Sequence, residues 1–245
     1  MNVTDADLDR LADQLLGLSG AEVAAVIRDA RTRARSAERD LTLADLQAAA
    51  DAVQPNQDQD LLWRVAVHEA GHTVAGHLLS LPPATSARVT PRGGEVLRAH
   101  LPHMTERTVR DVMCALLAGR AAEALVFGDI SSGGGGGIGS DLAQATELAI
   151  RFEAVFGFGE TLAWFSPDTP ISLLPENHRK RVEAALQDAN RTVHALLEGK
   201  QDLIRQVATA LLERRELDAA EIAALLAEPE ETNGSERDVG KNHGP

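Results

Sequence analysis

A mainly α-helical molecule with one small β-hairpin is what the patterning of this 245-residue chain predicts. Apolar residues recur at helical spacing through most of the sequence, one short segment is extended in character, and proline and glycine mark the connections. In residues 5–53, Leu8, Leu11, Leu15 and Leu16 trace a first helix that stops at Gly17. Ser19 followed by Glu22 is a capping box and opens a second helix to about residue 37, with Arg28, Arg31, Arg33 and Arg35 on its polar side. Thr42 and Asp45 begin a third, ending near Val53. Residues 54–60 (QPNQDQD) read as a linker. A strongly apolar helix follows over 61–80, closed by Pro82 and Pro83. Two extended runs, 87–90 and 95–100, flank Pro91-Arg92-Gly93-Gly94 and predict the hairpin. Residues 105–127 read as one helix, with Val109, Val112, Met113, Leu116 and Leu117 on its inner face. A glycine-rich loop (131–140) leads to a helix over 141–155 and then to a loop with Gly157, Gly159, Pro167, Pro170 and Pro175. Helices over 177–198, 200–215 and 218–227 close the fold. The expected organisation is a helical unit (1–53), a linker (54–60), a main domain (61–227) and a disordered tail (228–245) that is polar and has no hydrophobic periodicity.

Composition narrows the function classes. A net charge of −13 disfavours a phosphate-binding surface, and 3% aromatics with no Tyr disfavours a base-stacking platform, so no nucleic-acid partner is expected. The single cysteine, Cys114, rules out an intrachain disulfide and a thiolate metal cluster; its apolar neighbours place it in a core. No apolar run reaches the roughly 18 residues a membrane span needs, and the first ten residues are too polar for a secretory signal. A cytoplasmic protein is expected, with membrane association only as part of a longer one. Any metal site must then use His and carboxylate.

Val67-His68-Glu69-Ala70-Gly71-His72 supplies such a site. On a helix, His68 and His72 lie one turn apart on one face, where both imidazoles reach a single zinc ion. Glu69 is offset around the helix and can take a proton from water beside the metal. This is the H-E-x-x-H arrangement of zinc peptidases. The competing reading is a surface helix with two solvated His, and the apolar Leu62, Val65, Ala66, Val74, Leu78 and Leu79 argue against it. Catalytic zinc takes three protein ligands and keeps one position open. The longer pattern ending G-x-x-H fails, because Ala75 and Leu78 stand where its glycine and histidine belong. Glu95, Glu123 and Asp141 are the candidate third ligands, and spacing does not choose among them. His100 or His103 is a weaker candidate for assisting the oxyanion.

Beyond this motif, AVHEAGHTVAGHLL (66–79), VTPRGG (89–94), ALLAGRAAEALVFGDISSG (115–133), SDLAQATELA (140–149) and ERRELDAAEI (213–222) occur in order. With them the chain resembles the peptidase domain of FtsH-type ATP-dependent zinc proteases, and GLSGAEVAAVIRDA in residues 5–53 resembles the helical lid of the preceding AAA ATPase module. The resemblance implies His68, His72 and Asp141 as ligands of Zn2+ and Glu69 as general base. It implies Glu123 as a carboxylate that orients a ligand from behind; an ion pair with Arg120 or another Arg is the alternative. It further implies a zinc metalloendopeptidase acting on unfolded or partly unfolded polypeptides, in a homo-oligomeric, hexameric ring. A non-catalytic oligomerisation or substrate-binding module with a degenerate or structural zinc site is the competing function.

The sequence also departs from that family. It contains no G-x-x-x-x-G-K-[ST], and no Lys follows Gly133–Gly137, so this chain lacks the ATPase core. A fragment of a longer ATPase-protease is expected ahead of a stand-alone peptidase with a residual lid. The glycine loop is a few residues longer than in the family, and is read either as a flap beside the cleft or as a plain connection. The hairpin is read as an edge to which an extended substrate adds, or as a strand that merely closes the fold.

Overall fold

The computed structural model describes residues 4–54, 59–90 and 93–227. Three helices come first: α1 (Asp5–Gln14), α2 (Gly20–Ser36) and α3 (Leu43–Val53). They bury Leu11, Val26, Ala30, Ala49 and Ala50 among themselves. The expected capping box forms, with the Glu22 N–H donating to Ser19 Oγ and the Ser19 N–H to Glu22 Oε2. At the start of α3, Asp45 accepts from the Thr42 hydroxyl and N–H and from the two terminal guanidinium nitrogens of Arg39. Of the expected linker, residues 55–58 lie outside the described residues, and Gln59 and Asp60 already belong to the next helix. The expected tail, 228–245, lies outside them entirely.

A second apolar cluster is built around α4 (Gln59–Leu78). From Ala66 to Gly76 every residue of α4 except His72 is buried, because the helix is covered by both α6 (Ala118–Phe127) and α9 (Gln201–Arg214). Gly71 permits the first of these contacts: a Cβ there would stand 2.5 Å from Ala122 Cβ and 2.7 Å from the Ala118 carbonyl. A three-stranded sheet covers the far end of α4 in the order β2-β1-β3, with β1 (Ala84–Thr90) between β2 (Gly93–Arg98) and β3 (Glu216–Asp218). All pairings are antiparallel, and β1 turns Ala84, Ala87 and Val89 into the core. Among the described residues β2 therefore has a neighbour on one side only. Pro91 and Arg92, in the expected hairpin turn, lie outside the described residues.

Three expectations need correction. The segment read as one helix over 105–127 is two, α5 (Glu106–Leu116) and α6, joined at Leu117, where φ is −92° and ψ is 0°. The bend lets α6 press against α4 while α5 packs on α7 (Asp141–Ala154) and α8 (Glu176–Leu197). Strand β3 was not expected; three residues carry no periodicity, and its partner lies about 130 positions upstream. The hairpin strands begin at Ala84 and Gly93, earlier than their apolar runs. A single 3₁₀ turn (Ile171–Leu173) and α10 (Ala219–Leu226) complete the described elements. Cys114 is buried, and burial pushes its thiol up to about 11, in keeping with a packing role. No helix among the described residues is long and apolar enough to cross a membrane.

Candidate metal centre

His68 and His72 stand one turn apart on α4 with their rings edge to face, 4.9 Å between centroids. Each has its outer nitrogen fixed. His68 Nδ1 lies 2.8 Å from Glu123 Oε1, and His72 Nδ1–H donates to the Ala115 carbonyl at 2.7 Å. With Nδ1 carrying the proton, both Nε2 lone pairs are left to face the same point. Asp141 Oδ2 reaches that point from α7, 3.0 Å from His68 Nε2 and 3.4 Å from His72 Nε2. These three donor atoms lie within 4.8 Å of one another.

The glycine loop carries Asp141 there. Ser140 caps α7, and the Leu142 N–H donates to the Gly134 carbonyl at 2.9 Å, which folds the loop back on its own helix. Gly134 rests against the site: a Cβ there would stand 3.2 Å from His68 Cε1. Gly119 is tighter still, since any Cβ would overlap the His68 imidazole. The part of the loop around Gly134 thus lies against His68.

Glu123 is 1% exposed and accepts four hydrogen bonds. His68 Nδ1 and the Ser131 hydroxyl meet Oε1 at 2.8 and 3.0 Å; Arg64 and the Ser131 N–H meet Oε2 at 3.0 and 2.7 Å. Burial alone would raise its carboxyl, but these donors outweigh it and hold Glu123 at about 2. His68 shows the converse balance: burial lowers it, the carboxylates of Asp141 and Glu123 raise it, and it is pushed up to about 9. Asp141 is held well below the usual carboxylate range; burial opposes this, and the two imidazoles prevail. Glu69 is also buried, with Gly94 of β2 against its Cγ. Burial pushes its carboxyl up, opposed by His72 and His68.

His68, Glu69, His72, Glu123 and Asp141 are therefore brought together. Glu95 is not part of the cluster; it pairs with Arg88 at 2.5 Å and stands half-exposed. His100 and His103 are exposed, and only His100 borders the cleft, which is about 1100 Å³ and includes Glu69, Val96, Arg98, Leu101 and Asp141 in its walls. Glu123 touches a histidine and an arginine, and the arginine is Arg64, not Arg120. Sequence reasoning missed Arg64, Ser131, Gly119 and the Ala115 carbonyl. Only Arg64 left a signal, its position one turn before His68.

The family model of Peptidase family M41 matches residues 58–225. The chain belongs to Peptidase family M41. It is 31% identical over 249 residues to the ATP-dependent zinc metalloprotease FtsH of Thermus thermophilus, covering 91% of this chain and 39% of that protein. It is 32% identical over 270 residues to the FtsH of Acidothermus cellulolyticus, covering 98% and 40%. An FtsH 3 of Sphaerobacter thermophilus matches at 32% over 245 residues, covering 91% and 48%. The chain spans less than half the length of these curated relatives. Within this M41 chain the family match begins next to α4 and ends in α10, so it takes in the whole metal centre and the sheet.

Proposed function

We propose that this chain is the proteolytic part of an FtsH-like zinc metalloendopeptidase, cutting peptide bonds in unfolded polypeptide, with zinc held by His68, His72 and Asp141. One observation carries the reading: two imidazoles with their outer nitrogens pinned present Nε2 to a carboxylate oxygen contributed from 69 residues downstream of His72. That donor set suits zinc, as two neutral nitrogens and one anionic oxygen leave a coordination position open. When bound, zinc polarises the scissile carbonyl and makes water beside it acidic.

The chain's own residues do the rest. Glu69 projects from the same helix into the cleft and takes the proton of the attacking water; it then returns that proton to the departing amine. Its raised proton affinity suits both halves of that exchange. Glu123 holds His68 in the tautomer that leaves Nε2 free, and the Ala115 carbonyl does the same for His72. Strand β2 borders the cleft with its outer edge unpaired among the described residues. An extended polypeptide adds to that edge through backbone hydrogen bonds, which depend little on side chains, while a folded protein cannot offer a free strand. This supports unfolded segments as the substrate class. Assembly into a homo-oligomer, six-membered by likeness to the family, belongs to the same reading.

The test is zinc-dependent hydrolysis. The purified chain is expected to hold one equivalent of zinc and to cleave a permanently unfolded polypeptide, with activity lost to a chelator and restored by zinc. Zinc held without any cleavage favours the non-catalytic module instead.

A further inference from the structure

Arg64 lines the same cleft as Glu69, and it is bound into the arrangement behind His68. It stands one turn before His68 on α4 and is one-quarter exposed. One arm of its guanidinium donates to Glu123 Oε2 at 3.0 Å, and the other to Asp129 Oδ1 at 2.8 Å. The guanidinium lies over the Phe127 ring, 4.3 Å from its centroid. It is thus clamped from three sides, by the middle and end of α6 and by the turn that enters the glycine loop.

We propose that Arg64 is a positioning residue of the metal centre, acting on His68 through Glu123. The argument is one of carboxylate geometry. Glu123 Oε1 serves His68 Nδ1, and Oε2 is held by Arg64 and the Ser131 N–H. Without Arg64, Oε2 keeps the Ser131 N–H, a single bond about which the carboxylate can turn, and Oε1 then leaves the imidazole. Arg64 blocks that rotation from the side opposite His68. A charge argument points the same way. A histidine that ligates a metal is neutral, so Arg64 is then the one cation at Glu123 among the described residues, and Glu123 is almost wholly buried. A buried carboxylate without its cation is costly, and the cheapest relief is to swing toward water, away from His68. Arg64 therefore keeps the carboxylate in place. Losses of such outer partners typically weaken metal binding by about 10–100-fold; acting one step further out, Arg64 is expected near the lower end.

This rests on the zinc reading above, and the experiment separates the two. Zinc affinity is measured by competition with a chromophoric chelator at fixed pH, on wild type, Arg64→Gln, Glu123→Gln and the double variant. Arg64→Gln is expected to bind zinc about tenfold more weakly, and to shift the visible bands of the cobalt(II)-substituted protein. In the Glu123→Gln background the same change is expected to do almost nothing further, because the route through Glu123 is already cut. Asp129→Asn, which frees the other arm, is the structural control and should leave zinc affinity within about twofold of wild type. Should Arg64→Gln not fold, Arg64→Met keeps the apolar stem over Phe127 and carries the same comparison. Wild-type affinity in either Arg64 variant overturns the proposal, and so does an undiminished tenfold effect in the Glu123→Gln background. A wild-type chain that takes up no zinc overturns the function reading itself.

Discussion

Asp141 gains its position at the first turn of α7 from the residues around it. Ser140 caps the helix, Gly134 folds against His68, and the two imidazoles hold the Asp141 carboxylate in its charged form. Glu95, another acid weighed as a third ligand, is occupied by Arg88 on the neighbouring strand. Asp141→Ala is accordingly expected to lower zinc affinity by roughly a hundredfold or more, exceeding the usual loss of an outer partner. Glu95→Ala should leave it within about twofold. Inductively coupled plasma analysis of the purified variants, with chelator competition, reads both. At this scale the sequence was informative where helical period does the work. Four-residue spacing puts His68 and His72 on one face. It leaves Glu95, Glu123 and Asp141 level as third partners, because loop geometry between distant elements has no period; the preference for Asp141 came with the family resemblance. Ser131 stayed hidden for the same reason, and the place of Arg64 one turn before His68 does not reveal its partner; that shared partner, Glu123, lies 8 and 59 positions away along a path the sequence does not describe.

The elements divide by how local their causes are. Helix starts were legible because a capping box is written within four residues, as at Ser19 and Glu22. The break at Leu117 was not, as it answers to the approach of α6 to α4 through Gly71 and Gly119. Strand β3 was not either, as it exists only through pairing with β1. That sheet leaves β2, among the described residues, as an edge with Gly94 against Glu69. If substrate adds to β2 by its backbone, methylating single backbone nitrogens of a cleaved peptide should hurt at alternate positions. Cleavage is expected to slow about tenfold or more at positions whose N–H faces β2, and to change little at those between, with side chains untouched. Uniform sensitivity, or none, speaks against strand addition.

Two apolar clusters run through the molecule as a whole, one within α1–α3 and one around α4. All of the candidate metal centre belongs to the second. Zinc should therefore stabilise the second selectively, by about 2.7 kcal/mol at a hundredfold excess over its dissociation constant. Differential scanning calorimetry is expected to show two transitions, of which only one moves with zinc. Asp45→Asn should move the other. Arg39 and then Thr42 hold the Asp45 carboxyl well below the usual range, so its contribution is present above about pH 4 and is lost as the pH falls further. The gap between wild type and Asp45→Asn is thus expected at pH 7 and should close in acid. A single transition shifted by both zinc and Asp45→Asn would contradict the division.

The central claim is that this chain cleaves peptide bonds with Glu69 as the base beside zinc held by His68, His72 and Asp141. Glu69→Gln tests it most directly, because the amide is nearly the same size, is not a proposed ligand and cannot take the proton. The variant should retain one equivalent of zinc and lose hydrolysis of an unfolded polypeptide by roughly a thousandfold, within the usual contribution of general base catalysis. Substantial cleavage by zinc-loaded Glu69→Gln would contradict the account.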